Sequence, residues 1–263
     1  MAQGCLTRHD FNVLEKIKDP ESNPLAAVIV DSTLPKDPNV TDAAVYKRVA
    51  QKERETVMAM QQLEMQLAGL KPATGADPIQ EYRQCVLELG QLVSEYPRYA
   101  SVRNNRAQAL RRLYGDTMML SGHRDSRALI QAADDAEKSK AAVTTLSDLD
   151  EAIMLLTPRA LFASISPQAG KTLSLAHTQR ATVYHMTAKS IQFDSTAGVA
   201  GRKEATWTKI DFEEAASRDF ALGGRYGNEI ARGLAVSTNP TAKLCGQMVH
   251  EAMKKEYGPA FAA

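Results

Sequence analysis

ASVRNNRAQALRRLYGD, residues 100–116, is the stretch whose reading decides the fold. Its spacing is that of a helix, yet it carries two adjacent asparagines, Asn104 and Asn105. Asparagine is a poor helix former because its side chain competes for backbone hydrogen bonds. The cost is small, roughly a few tenths of a kcal/mol each, so a packed helix tolerates the pair. Their presence points to polar side chains that have work to do on one helix face.

Around that stretch the composition favours helix. Of the 263 residues 44% are hydrophobic and 24% charged, while aromatics make up only 6%. Ala, Leu and Met dominate the apolar set. A net charge of +1 gives no overall field for nucleic acid or a membrane surface, so any basic function is local. The three cysteines, Cys5, Cys85 and Cys245, are far apart and form no C-x-x-C or Cys/His cluster, which argues against a disulfide framework or a zinc site. No stretch approaches the roughly 20 apolar residues of a membrane span. The N-terminal MAQGCLTRHDF has no apolar run suited to a signal peptide. The expectation is a cytoplasmic protein without cofactor or metal.

Along the chain, residues 10–17 read as a short helix stopped by DPESNP. LAAVIVD (25–31) is an apolar, strand-like run expected to dock onto a helical body, with a linker over 32–40. From Thr41, taken as an N-cap with Asp42 in the first turn, an apolar stripe of Val45, Val49, Met58, Leu63, Leu67 and Leu70 marks a long helix. Ile79–Glu95 is the next, with Tyr82, Cys85, Val86, Leu89 and Val93 on one face. After the third helix, residues 117–144 read as a charged, partly helical and solvated insert. Further helices are expected at 146–158, 171–192 and 204–219. A glycine pair at 223–224 punctuates, and two last helices at about 225–235 and 241–257 are divided by STNP. The fold class is all-α.

Helix pairs in series call for a repeat search. RNNRAQAL (from Arg103) and AHTQRATVY (from Ala176) both place Arg-Ala after a polar pair, with an apolar residue three beyond: Arg106-Ala107 then Leu110, and Arg180-Ala181 then Tyr184. LDEA (149–152) and FEEA (212–215) match in the partner helices, and Val86–Leu89 supplies a looser first copy. This is the pattern of a tetratricopeptide repeat, in which small residues let helices A and B approach closely. It predicts an N-terminal arm over 1–40, a superhelix of three helix pairs over 41–220 and C-terminal capping helices over 221–263. The intervals from Leu110 to Thr145 and from Tyr184 to Thr208 exceed the standard repeat, placing inserts over 117–144 and 187–203 in the turns between A and B. Insertions at equivalent turns would emerge on one edge of the superhelix.

The chain resembles the tetratricopeptide repeat protein 36 family. The resemblance is carried by residues 100–116, by DFEEAASRDFALGGRYGNEIARG (211–233), by NPTAKLCGQMVHEAM (239–253) and by VLEKIKDPESNP near the start. It implies small cytosolic proteins of three repeats that bind heat-shock protein 70. It further implies protection of a tyrosine-catabolic enzyme, 4-hydroxyphenylpyruvate dioxygenase, and a link to cilium assembly.

The expected function is a non-enzymatic adaptor whose A helices offer a polar groove to a protein partner, through Asn104, Asn105, Gln108, Arg111, Arg112, Gln179 and Thr182. Arg106 is expected to support packing between repeats, while Arg111 and Arg112 receive an acidic peptide. Chaperone-tail clamps of such repeats use Lys and Asn from successive A helices; here Asn105 fits, but Leu175, Gln179 and Glu64 stand at the other clamp positions. GKT at 170–172 lacks the leading glycine of a phosphate-binding loop, since residue 165 is Ile. His177 and His185, with no acid between them, read as surface or groove histidines rather than a metal set. The rival readings are a structural subunit of a larger complex, marked by a wide apolar patch, and an enzyme with a titratable cluster in one pocket.

Overall fold

Side-chain caps set where the helices begin. The computed structural model describes residues 28–72, 75, 77–160, 163–191 and 197–257, so the short helix expected at 10–17 lies outside the described residues. Within them run α1 (Ala43–Leu67), α2 (Pro78–Glu95), α3 (Ala100–Tyr114), α4 (Asp135–Leu156), α5 (Pro167–Ser190), α6 (Lys209–Arg225), α7 (Glu229–Thr238) and α8 (Pro240–Tyr257), with a 3-10 turn at Lys203–Thr206 before α6. Asp42, not Thr41, caps α1 by accepting from the amides of Ala44 and Val45. Asp77, Asp134, Ser166 and Asn228 do the same for α2, α4, α5 and α7, and Thr208 with Asp211 forms a capping box on α6.

The buried stripe of α1 differs from the apolar pattern. Val49, Glu53, Thr56, Met60 and Leu63 face inward, whereas Met58, Leu67 and Leu70 are exposed. Steps of three and four keep the true stripe on one face, and two of its members are polar. Their burial is tolerated because both are bonded: Thr56 Oγ1 donates to Glu88 (3.1 Å), and Glu53 accepts from Tyr99 and Asn105.

Each helix packs on the next, and α1 also touches α3, and α3 touches α5. The first helices of successive pairs therefore stand side by side in a row, the arrangement of a tetratricopeptide-type superhelix. Ala107 and Ala181 are fully buried at the close approaches. The pairs are tied in the same way twice. Arg106 grips Asp148 of α4 through Nε and Nη2 (2.6 and 2.7 Å), and Arg180 grips Asp219 of α6 through the same two nitrogens (2.7 and 2.8 Å). These forks match Asp148-Leu149 with Asp219-Phe220, so the partner helices correspond in a different register from LDEA with FEEA. The two A–B intervals then become nearly equal.

The inserts are structural. Residues 135–144 are already α4, with Lys138, Ala141 and Ala142 buried, and Thr117–Leu120 are buried ahead of it rather than solvated. Leu120 forms an antiparallel bridge with Ala197 of the other insert, and Gly198 N donates to Met119 O at 2.6 Å. The two inserts thus meet through residues 119–120 and 197–198.

Gly223 and Gly224 do not punctuate; they lie inside α6 where α7 crosses it. A Cβ on Gly224 would stand 2.8 Å from Arg232 Cα and 2.9 Å from its backbone nitrogen, so only glycine allows that approach. Of the apolar run at 25–31, residues 28–31 lie among the described residues and run beside Ile165. Val30 bridges Ile165 in parallel, with Asp31 N donating to Ile165 O (3.0 Å) and Ile165 N to Ile29 O (2.8 Å). Residues 32–40 are more than a linker, because Asp37 is buried and Asn39 Nδ2 bonds Leu155 O at 3.0 Å. Among the described residues no helix is long and apolar enough to cross a membrane.

Candidate functional site

The row of α1, α3 and α5 gathers the polar side chains singled out in the sequence, and it spends most of them on one another. Asn104 is 2% exposed, and its Oδ1 accepts from Gln179 Nε2 of α5 at 2.8 Å. Gln179 Oε1 in turn accepts from Arg111 Nη1 (3.1 Å), whose Nε is paired with Asp116 (2.6 Å). Asn105 donates to Glu53 of α1 at 2.7 Å. Arg112 pairs with Glu64 of α1 (2.7 Å) and bonds the carbonyl of Arg127. Asn104 and Gln179 are therefore corrected from groove-lining contacts to buried cross-ties, because helices that stand side by side close over the polar groups between them. Asn105, Arg111 and Arg112 are half-buried and committed to acids of this chain. Gln108 is exposed, Thr182 is half-buried with its hydroxyl returned to Thr178 O (2.8 Å), and Leu175 is 40% exposed beside them. The asparagine pair joins α3 to both of its neighbours.

Glu53 is the centre of the α1–α3 tie. Tyr99 donates to it at 2.6 Å. Burial pushes its carboxyl above the ordinary glutamate range, and the bonds from Tyr99, Ser101 and Asn105 offset this only in part. A carboxyl with a raised folded-state pKa stabilises the fold below its unfolded pKa, and that contribution is lost as pH rises through the folded value. Glu53→Gln keeps an acceptor and removes the charge. We expect wild type to lose stability relative to this variant as pH rises above the ordinary glutamate value of about 4.3, and the two to differ least below it. Urea melts at several pH values check this, and parallel pH curves for the two proteins would refute it.

The histidines do not share a site. His177 is buried, not a surface residue, with Nδ1 2.9 Å from Asp219 Oδ1 and its ring stacked on Tyr226. His185 lies edge-on to Phe220, and burial, with Lys189 and Lys243, lowers its pKa. Among the described residues no group of His, Cys, Asp and Glu is placed to hold a metal ion. Lys171 is an exposed residue in the first turns of α5, which Ser166 caps. The clamp positions carry Asn105 bound to Glu53, Glu64 bound to Tyr82 and Arg112, the exposed Leu175 and the buried Gln179. Sequence reasoning missed Glu53, Asp148 and Asp219, the acids that hold the polar row and the helix pairs. The only signal for them was an acid at a helical spacing where an apolar residue was expected.

Helix pairs in a row, cross-tied on one face by polar side chains, define a helical-repeat protein of tetratricopeptide type. The comparisons narrow this. The chain is 33% identical over 256 residues, 95% of its length and 93% of the relative's, to the L-tyrosine degradation gene cluster protein hmgX of Aspergillus fumigatus. It is 26% identical over 247 residues, 94% of both chains, to the tetratricopeptide repeat protein 36 homolog of Drosophila melanogaster. Tetratricopeptide repeat protein 36 of Xenopus tropicalis is 28% identical over 144 residues, 50% of this chain and 69% of that one. The chain belongs to the tetratricopeptide repeat protein 36 family. No family model matches it, and no solved structure does.

Proposed function

We propose that the chain is a non-catalytic adaptor of tyrosine catabolism that holds a protein partner on the α1–α3–α5 face. The observation that carries this reading is the cross-tied polar row. It fixes three helices relative to one another, so the exposed Gln108 and Leu175 stand on a rigid surface that needs little ordering on binding. The tyrosine link rests on the relative from a tyrosine degradation gene cluster. Three buried carboxylates are engaged in packing: Asp148 and Asp219 to arginines, and Glu53 to Tyr99. None of them is left as an acid or base facing a pocket.

By family resemblance the partners are 4-hydroxyphenylpyruvate dioxygenase and heat-shock protein 70. The chaperone would not engage a dicarboxylate clamp, since Glu64 places an acid where a carboxylate would have to sit. The test measures both purified proteins against immobilised wild type and a Gln108→Arg, Leu175→Glu variant. Both substituted positions are exposed, so the variant should melt with wild type. We expect dioxygenase binding to weaken at least about tenfold in the variant, the scale of one lost interface contact of about 1.4 kcal/mol. A free-carboxylate chaperone-tail peptide should fail to compete for either protein. Equal binding to both chains, or binding to neither, would remove this face from the reading.

A further inference from the structure

The opposite side of α3 carries a second surface. Arg106, Leu110, Leu113 and Tyr114 lie across the helix from Asn104, Asn105, Gln108, Arg111 and Arg112. There α2, α3 and α4 bound an open cleft of about 810 Å³. Val86, Leu87 and Gly90 of α2, Leu110 of α3 and Ala141 of α4 make it predominantly apolar. Its α2 wall runs from Arg83 to Glu95, about 18 Å at the rise of a helix. The lining positions 83, 86, 87, 90, 91, 94 and 95 follow the i, i+3, i+4, i+7 pattern that one helix shows to another. Leu87 is 61% exposed in this wall. Gly90 sits in the middle of α2, where glycine weakens a helix. A Cβ there would meet only the tip of Arg106, at 3.4 Å, so nothing in the packing requires glycine. Its missing side chain deepens the cleft.

The repeat supplies a template for what lies in such a place. The corresponding gap, over α5 between α4 and α6, is filled by this chain's own insert. There Ser139 donates to Gly198 O, and Arg202 reaches Ser147 (3.1 Å) and Asp150 (2.6 Å) on α4. Glu204 accepts from Tyr184 (2.7 Å), and Trp207 packs on Tyr184 at 5.2 Å. Tyr184 is the repeat equivalent of Leu110. The filler is thus a short segment with an aromatic anchor and charged residues matched to the walls. Over α3 the first insert turns away from the cleft: the Arg127 carbonyl is bonded by Arg112 on the other face of α3, and Leu120 bridges the second insert. The open cleft also presents Arg83 Nε, buried without a hydrogen-bond partner although Arg83 Nη2 is paired with Glu137 (2.8 Å), and the exposed Lys140 on the rim.

We propose that this cleft docks an amphipathic helix of a partner protein, laid between α2 and α4. An aromatic or large aliphatic residue would cover Leu87 and Gly90, an acceptor would meet Arg83 Nε, and an acidic residue would face Lys140. The length of the α2 wall and its helical spacing favour a helix in a groove over a small molecule. This site is separate from the α1–α3–α5 face and stands without it.

The probe is a phage-displayed library of random 16-residue peptides selected on the purified full chain. We expect enriched peptides with apolar residues at three- and four-residue spacing, one of them aromatic, together with an acid. Synthetic versions should bind Gly90→Met and Leu87→Glu at least tenfold more weakly than wild type. They should bind the Gln108→Arg, Leu175→Glu variant as well as wild type. Gly90→Met should melt at or above the wild-type temperature, and Leu87→Glu, at an exposed position, serves if it does not. No enrichment, enrichment without that pattern, or undiminished binding to both cleft variants would overturn the proposal. A benzophenone side chain at position 87 identifies other occupants: cross-linking to residues 1–27 of the same chain, or to a second copy, would also overturn it.

Discussion

Replacing Arg180 with Met should destabilise the fold by about 3–5 kcal/mol, the cost of stranding a buried charge. Asp219 is 1% exposed and takes two hydrogen bonds from Arg180 and one contact from His177. Burial by itself pushes its carboxyl up, but the Arg180 and His177 bonds and charges hold it below the ordinary aspartate value. In the variant Arg202 still neutralises Asp150 on α4, so the stranded group is Asp219 alone. A second substitution, Asp219→Leu, removes that charge, and the double variant should recover most of the loss, because well-packed apolar pairs often replace buried ion pairs at little cost. The sign with pH follows from the lowered carboxyl: its contribution is present above the unfolded pKa and is lost as pH falls through the folded value, below about pH 4. Urea melts of the wild type, the single and the double variant check this. A single variant within about 1 kcal/mol of wild type would show that the fork contributes little.

Phe212→Ala should cost about 3–5 kcal/mol, from lost burial plus the cavity left behind. Phe212 is fully buried at the start of α6 and touches Tyr184 (ring centroids 5.9 Å apart) and Trp207 (5.2 Å). These rings join α5, α6 and the end of the 3-10 turn that follows the second insert in one cluster, so the loss is felt beyond α6. In a domain of this size the melting temperature should fall by roughly 10 °C. Trp207 is the single tryptophan of the chain and reports the site directly. Its emission should shift to the red in the folded variant as the insert loosens. An unchanged spectrum with a lowered melt would mean that the cavity forms without moving the insert.

The asparagine pair shows how far sequence reading reached into the site. Residue type and helical spacing placed Asn104 and Asn105 on the inner helix, and the repeat of Arg-Ala at 106–107 and 180–181 located the equivalent helices. What those side chains touch depended on the lateral approach of α1, α3 and α5. That approach is fixed by small residues and by acids far away in the chain, such as Glu53, 52 positions from Asn105. Gly223–Gly224 shows the same limit. A glycine pair marks a turn or a close approach equally well, and only the crossing of α7 over α6 decides between them.

The sequence by itself determined the helical class and most of the helix starts and stops. Each of these follows from local signals: caps, prolines, apolar periodicity and a short motif repeated. Tertiary structure alone decided which polar residues are cross-ties and which face outward, the register of the partner helices set by the Asp148 and Asp219 forks, the folding of the inserts onto one another, and the open cleft between α2 and α4. Those depend on contacts between residues distant in sequence, where one Å of approach decides whether a side chain is bonded, buried or free.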